Sequence, residues 1–257
     1  MTETRLADLS AFAETLADMA RTLARQHFRK TFAFERKADE SPVTAADKAI
    51  ESALRTAIEE RYPEHGIFGE ETGRTGSQDR VWVLDPIDGT KSFITGMPLF
   101  GTLIAFVEGG ATRLGAIEMP ALGERWIAVE GRTTMNGAPA RTSGCTQLAD
   151  ARVFTTSPDY FVGEDWPRFD RVSRLAAMRR YGADCYQYAL LASGFCDLVI
   201  ETGLQPYDYM ALGPVIEGAG GVMTDWEGRA LSLDCDGRVI AAATPALHEA
   251  ALAELWR

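Results

Sequence analysis

Apolar residues recur at helical spacing from Leu6 to Phe28, at Leu6, Leu9, Phe12, Ala13, Leu16, Met19, Ala20 and Leu23, so the chain opens on an amphipathic helix. The run Ser41-Pro42-Val43-Thr44 breaks it, and Thr44 with Asp47 three residues on predicts the N-cap of a second helix. That helix carries Ile50, Ala53, Leu54, Ala57 and Ile58 on one face and runs to about Arg61, where Pro63 ends it. From Val81 the period shortens. Val81-Trp82-Val83-Leu84 is a compact apolar run stopped by Asp85-Pro86. Thr102 to Val107, a Gly109-Gly110 turn, Arg113 to Glu118 and Trp126 to Val129 then predict an antiparallel meander. Beyond about residue 150 strands alternate with helices. Strands are predicted at Arg152–Thr155, Leu198–Glu201, Val222–Asp225 and Val239–Ala243, and helices at Phe169–Arg179, Cys185–Ala192, Tyr209–Gly218 and Pro245–Trp256. An antiparallel half followed by an alternating half predicts an α+β fold stacked in layers. The expected unit is single, spanning 1–257, with halves meeting near residue 150.

Composition adds exclusions. With 46% hydrophobic and 25% charged residues the chain has an ordinary globular balance. A net charge of −11 disfavours nucleic acid as a partner, because a phosphate backbone demands a basic face. Met1 to Phe12 lacks the apolar core of a secretory leader. The charge-free stretch from Ser92 to Val107 is interrupted by Gly96, Pro98 and Gly101 and falls short of the ~18 apolar residues of a membrane span. Cys145, Cys185, Cys196 and Cys235 are scattered without a CxxC pair, which points to reduced thiols in a cytoplasmic protein and away from a zinc site. His27, His65 and His248 are isolated from one another and from cysteine, which removes most support for zinc hydrolase or Ser-His chemistry.

Three acidic clusters stand at the ends of elements: Gly69-Glu70-Glu71, then Asp85-Pro86-Ile87-Asp88-Gly89-Thr90, then Asp208 within Pro206-Tyr207-Asp208-Tyr209. A strand ending in Asp puts a carboxylate at its C-terminal edge, where ligands of layered α/β proteins bind. Pro86 fixes the turn, the Ile87 carbonyl is available, and Asp88 returns a second carboxylate to the same point. Gly89 and Thr90 open a helix whose backbone amides can hold a phosphate oxygen. Carboxylates with a carbonyl form the hard oxygen set that Mg²⁺ takes. Taken singly, Asp-Gly-Thr is also an ordinary turn, and Glu-Glu after Gly an ordinary solvated surface.

Together and in this order, the three clusters resemble the inositol monophosphatase family, from the first helix to the last. The resemblance implies an αβαβα layered sandwich, a homodimer, two to three Mg²⁺ ions and inhibition by Li⁺. Carried onto this chain, it implies metal ligation by Glu70, Asp85, the Ile87 carbonyl, Asp88 and Asp208. It gives Glu70 and Thr90 with Asp47 the task of orienting the attacking water, and Gly89 and Thr90 that of holding the phosphate; Glu71 is left open. Haloacid dehalogenase phosphatases are the rival, with Asp-x-Asp-Gly-Thr and a covalent Asp nucleophile. Here the spacing is Asp-x-x-Asp-Gly-Thr, one residue longer, which favours metal-assisted attack by water.

The stretches Arg180-Tyr181-Gly182-Ala183-Asp184-Cys185-Tyr186 and Glu201 through Tyr209 resemble the histidinol-phosphate phosphatase branch, as does Gly89 to Gly96 followed by Pro98 to Thr102. An ammonium and an imidazole call for acceptors, which Asp184 and Glu201 supply. Asp88 and Asp208 complete the expected substrate-binding set. Asp184 also reads as a helix cap, and Arg180 as a phosphate contact, a dimer contact or surface. Lys91 reads as a solvated helix charge or as electrostatic support. Lys37, in Arg36-Lys37-Ala38-Asp39, is expected on a segment able to close over the metals. The alternatives are an inositol phosphate, sugar or nucleotide substrate for the same chemistry, and a catalytically silent, metal-binding regulatory relative.

Overall fold

The structure is a computed structural model that describes residues 3–30, 34–36 and 42–257; Lys37 lies outside the described residues. It is organised around two sheets. The larger has eight strands in the spatial order Ala138–Pro139, Arg132–Met135, Glu124–Val129, Ala111–Met119, Gly101–Glu108, Arg80–Asp88, Gly66–Gly69 and Gly73–Thr75. The smaller has five, in the order Met178–Tyr181, Arg152–Thr155, Leu198–Glu201, Val239–Ala242 and Val222–Asp225.

Period-2 alternation sends successive side chains of the central strands into different cores. Trp82, Leu84, Ile104 and Phe106 pack under helices Glu3–His27 and Ala45–Arg61, against Leu9, Leu16, Ile50, Leu54 and Ile58. Val81, Val83, Leu103 and Ala105 face the opposite way, onto Tyr188, Leu191, Tyr209 and Val215 of helices Tyr186–Ala192, Pro206–Tyr209 and Leu212–Gly218. The same middle core takes Val199, Val239 and Ala241 from the smaller sheet. Leu198, Ile200, Ile240 and Ala242 turn outward onto helices Asp165–Arg174 and Pro245–Leu255. The layers are therefore helix, sheet, helix, sheet, helix: the layered α+β fold that the pattern predicts, in the αβαβα order that the family resemblance implies.

The second helix begins as expected. The Thr44 hydroxyl accepts from the amides of Ala46 (3.1 Å) and Asp47 (3.4 Å), while the Thr44 amide donates to Asp47 Oδ2 at 2.9 Å. Elsewhere the boundaries move. The predicted helix Phe169–Arg179 is a helix over Asp165–Arg174 followed by the edge strand Met178–Tyr181, because helical periodicity persists in a segment whose backbone pairs with Arg152–Thr155. The predicted helix Tyr209–Gly218 is two, Pro206–Tyr209 and Leu212–Gly218. Strands Gly66–Gly69 and Gly73–Thr75 were not predicted, since glycine and charge mask their short apolar content. Asp85-Pro86 does not end its strand: pairing with Gly101–Glu108 continues to Asp88, with a register shift between Asp85 and Asp88. A proline donates no hydrogen bond to a ladder, and a bulge accommodates it. The Pro86 carbonyl is held by Thr102 Oγ1 at 2.8 Å.

Among the described residues no helix is long and apolar enough to cross a membrane. All four cysteines are free. Trp126 and Trp226 are buried in the cores, whereas Trp256 is half exposed with the Arg168 guanidinium over its ring.

Phe106 is fully buried with its ring 5.0 Å from Trp82 and 5.1 Å from His65. Phe106→Ala should destabilise the protein by about 3–5 kcal/mol, read from the shift of its urea unfolding midpoint.

Candidate active site

The bulge decides where the carboxylates go. Strand Gly66–Gly69 runs parallel to Arg80–Asp88 with Gly69 beside Leu84, and the Glu70 amide donates to the Leu84 carbonyl at 3.2 Å. Glu70 is thus delivered next to Asp85. The extra residue in the bulge brings Asp88 back toward the same point. Asp208 arrives from the other half on helix Pro206–Tyr209, with its Oδ2 accepting from the Gln205 amide at 2.7 Å.

The result is two acidic clusters. Carboxylate oxygens of Asp85, Asp88 and Asp208 lie within 4.8 Å of one another, and so do those of Asp47, Glu70 and Glu71. Burial pushes the Asp85 carboxyl well above the ordinary range, and the charges of Glu70, Asp88 and Asp208 add to it. Burial does the same to Asp88, reinforced by Asp184 and Asp208 and opposed by the Cys185 amide, which donates to Asp88 Oδ2 at 2.6 Å. Asp208 is pushed up to about 7 by burial, with Glu70 adding to it. Asp85 Oδ1 is buried without a hydrogen-bond partner. Desolvated carboxylates at one point, one with an orphaned oxygen, suit a divalent cation with oxygen ligands. The donor set fits a metal.

Thr90 sits just past Gly89, whose φ of +82° places it in the left-handed region that glycine tolerates. Thr90 Oγ1 lies 3.1 Å from the Ile87 carbonyl and 3.4 Å from Asp47 Oδ1. Asp47 itself is fully buried and reaches the site through Thr90 and Glu70 rather than by lining the cleft. Its carboxyl is raised by burial, against the stabilising hydrogen bonds from Thr44.

These elements enclose a cleft of about 530 Å³ lined from both halves of the chain. Glu70, Asp85, Ile87, Asp88, Gly89, Thr90, Asp184, Glu201 and Asp208 all border it. Asp184 does not cap a helix through its side chain. Its Oδ2 accepts from Ser92 Oγ at 2.7 Å, and its carboxylate packs on the Gly89 backbone. Gly182, Ala183 and Asp184 all have positive φ (85°, 108° and 47°), a strained run that aims this carboxylate at the cleft. Glu201 is buried and its carboxyl raised by burial, with Oε1 accepting from the Thr156 amide (2.9 Å) and Oε2 from Tyr188 Oη (2.7 Å).

Lys91 is exposed, as a solvated helix charge is, and its Nζ also lies 3.1 Å from Tyr160 Oη and over that ring, at the cleft wall. Arg180 lies away from the cleft on the exposed edge strand Met178–Tyr181. Sequence reasoning missed Tyr160, Thr156 and Tyr188. Tyr160 follows Pro158-Asp159 in a single 3₁₀ turn, and nothing local distinguishes it from any loop aromatic.

The inositol monophosphatase family model matches residues 5–257, and the chain belongs to that family. It is 47% identical to the chloroplastic bifunctional phosphatase IMPL2 of Arabidopsis thaliana, over 99% of this chain and 77% of that protein. It is 38% identical to a histidinol-phosphatase of Chlorobaculum parvum, over 88% of this chain and 89% of that one. A solved inositol monophosphatase from Zymomonas mobilis superposes with a TM-score of 0.90 at 45% identity, covering 98% of both chains. The fold and the phosphatase class follow.

Burial raises the Asp208 carboxyl to about 7, far above an unfolded aspartic acid. Its protonated form therefore stabilises the metal-free native state, and this contribution is lost as pH rises through about 7. In chelator the melting temperature should fall between about pH 4 and about pH 7, and saturating divalent metal should flatten or reverse that slope; scanning calorimetry at each pH measures it.

Proposed function

We propose that this protein is a Mg²⁺-dependent histidinol-phosphate phosphatase, converting histidinol phosphate and water to histidinol and phosphate. The observation that carries the substrate reading is the Asp184 carboxylate, set against Gly89 beside the acidic clusters and bordering the cleft together with Glu201. Two carboxylates in the pocket suit a substrate that carries an ammonium and an imidazole. The histidinol-phosphatase of Chlorobaculum parvum among the relatives supports the same substrate.

On this reading Glu70, Asp85, the Ile87 carbonyl, Asp88 and Asp208 hold two to three Mg²⁺ ions. When bound, Mg²⁺ supplies charge to neutralise the phosphate and to acidify water. The backbone amides of Gly89 and Thr90 bind phosphate oxygens. Thr90 Oγ1 donates toward Asp47, which leaves its lone pairs to accept a hydrogen from the attacking water, while Glu70 orients the same water from the facing strand. Water adds directly to phosphorus and the histidinol oxygen leaves, so no residue becomes covalently phosphorylated. Asp88 and Asp208 border both metal and substrate, and Asp184 and Glu201 face the organic part of the ester.

We also propose that the whole chain acts as one unit, because the cleft draws on both halves, and that it is a Li⁺-inhibited cytoplasmic homodimer, as the family resemblance implies. The second reading keeps the mechanism with inositol 1-phosphate as substrate; the 45% identity to the Zymomonas mobilis inositol monophosphatase favours it.

Phosphate release from histidinol phosphate and from inositol 1-phosphate, each with Mg²⁺, with chelator and with Li⁺, separates the two readings. A Mg²⁺-dependent preference for histidinol phosphate is expected; preference for the inositol ester would move the substrate assignment to the second reading. Asp184→Asn should raise KM for histidinol phosphate about tenfold, the equivalent of one ionic contact of ~1.4 kcal/mol. Asp88→Asn should cost ~100-fold or more in kcat, since bound metal supplies several kcal/mol of charge stabilisation, with unchanged circular dichroism. Near-wild-type turnover in that variant would defeat the metal assignment.

A further inference from the structure

Asp47, Glu51 and Arg55 follow one another at four-residue intervals along helix Ala45–Arg61, so they share a stripe, and all three are buried. Asp47 belongs to the acidic cluster. The other two are not part of it, and burying a charged pair is no route to stability in itself, because desolvation offsets the attraction between the ions. What they touch gives the reason for them.

The Glu51 carboxylate, 1% exposed, sits on the inner side of the turn between strands Gly66–Gly69 and Gly73–Thr75. Oε2 accepts from the Glu71 amide at 2.7 Å, and Oε1 accepts from the Thr72 amide at 3.0 Å and from the Thr72 hydroxyl. Arg55 Nε donates to Oε1 at 2.8 Å, and the same guanidinium reaches Thr75 Oγ1 at 3.1 Å and the Gly73 carbonyl. The carboxylate packs so closely that a methyl group on Gly69 would lie inside it. Gly69, Glu71, Thr72, Gly73 and Thr75 are thus all touched by this pair, and the segment so clamped is the one that carries Glu70 and Glu71.

We propose that Glu51, backed by Arg55, is a positioning residue for the metal site. It fixes the Glu70–Thr72 backbone so that the Glu70 and Glu71 carboxylates are held near Asp47 despite their mutual repulsion. A side chain that accepts two consecutive amides sets both the location and the orientation of that turn, which an apolar contact of equal volume cannot do. The inference rests on the reading of Glu70 as a metal ligand, and it extends the site along the helix to two residues that never meet substrate.

The test is calorimetric titration of Mg²⁺ into metal-free wild type, Glu51→Gln and Thr72→Val, alongside the Mg²⁺ dependence of turnover and the melting temperature in chelator. Glu51→Gln turns an amide toward the turn's donors, and Mg²⁺ should bind ~10–100-fold more weakly, the usual cost of losing a partner that orients a ligand. At saturating Mg²⁺ its kcat should recover to near the wild-type value. Thr72→Val deletes one hydrogen bond on an exposed residue; it should weaken Mg²⁺ binding in the same direction by a smaller factor, and it carries the test if Glu51→Gln fails to fold. Unchanged Mg²⁺ affinity in folded variants, with only a lower melting temperature, would overturn the proposal and leave the metal reading intact. Absence of Mg²⁺ binding to the wild type would overturn both.

Discussion

Bringing several carboxylates to one partly desolvated point is the constraint on which the arrangement of this protein depends. Asp85, Asp88 and Asp208 repel one another and lose hydration at the same time, and both effects raise the proton affinity of these three aspartates. Such a site cannot be built on flexible loops, because the side chains would relax apart. Here each carboxylate is tied to backbone that has its own reasons to be rigid. Asp85 and Asp88 flank a bulge in a central strand, Glu70 follows a strand paired in parallel to it, and Asp208 sits on a short helix closed by its own hydrogen bond to Gln205.

The layered packing serves this constraint. Two cores grip the strand that bears Asp85, one through Trp82 and Leu84 and the other through Val81 and Val83. The middle helices then connect that strand to the smaller sheet, so Asp208 and Asp88 keep their separation although they stand 120 positions apart in the sequence. The stripe Asp47–Glu51–Arg55 adds a third anchor. One helix supplies a group that backs Thr90 and, a turn later, the carboxylate that holds the Glu70–Thr72 turn.

On the substrate side, strain and hydrogen bonding replace repulsion as the organising effects. Three successive positive φ values at Gly182, Ala183 and Asp184 are tolerated because the Cys185 amide is bound by Asp88 and the Asp184 carboxylate by Ser92. The loop is therefore braced against the same strand end that carries the acidic cluster. On the proposed reading specificity and metal binding share a support, so a substitution at Asp88 should perturb both.

Much of this was legible in the sequence. Hydrophobic periodicity located the first two helices, the meander and most of the strands of the second half, because those patterns report directly which side faces a core. The Asp85–Thr90 run, Glu70 and Asp208 were visible as carboxylates at element ends. Tertiary structure decided what depended on pairing and approach between distant segments. Met178–Tyr181 became a strand because Arg152–Thr155 offered it hydrogen bonds, and the strand through Pro86 continued past its proline because a bulge absorbed the missing donor. Asp184 turned to Ser92 instead of capping a helix, Lys91 turned to Tyr160, and Glu51 found the backbone of a turn twenty residues away. Local pattern determines which residues are buried and which chemistry is present. Which atoms finally meet is set by how the layers stack, and that is a property of the whole chain.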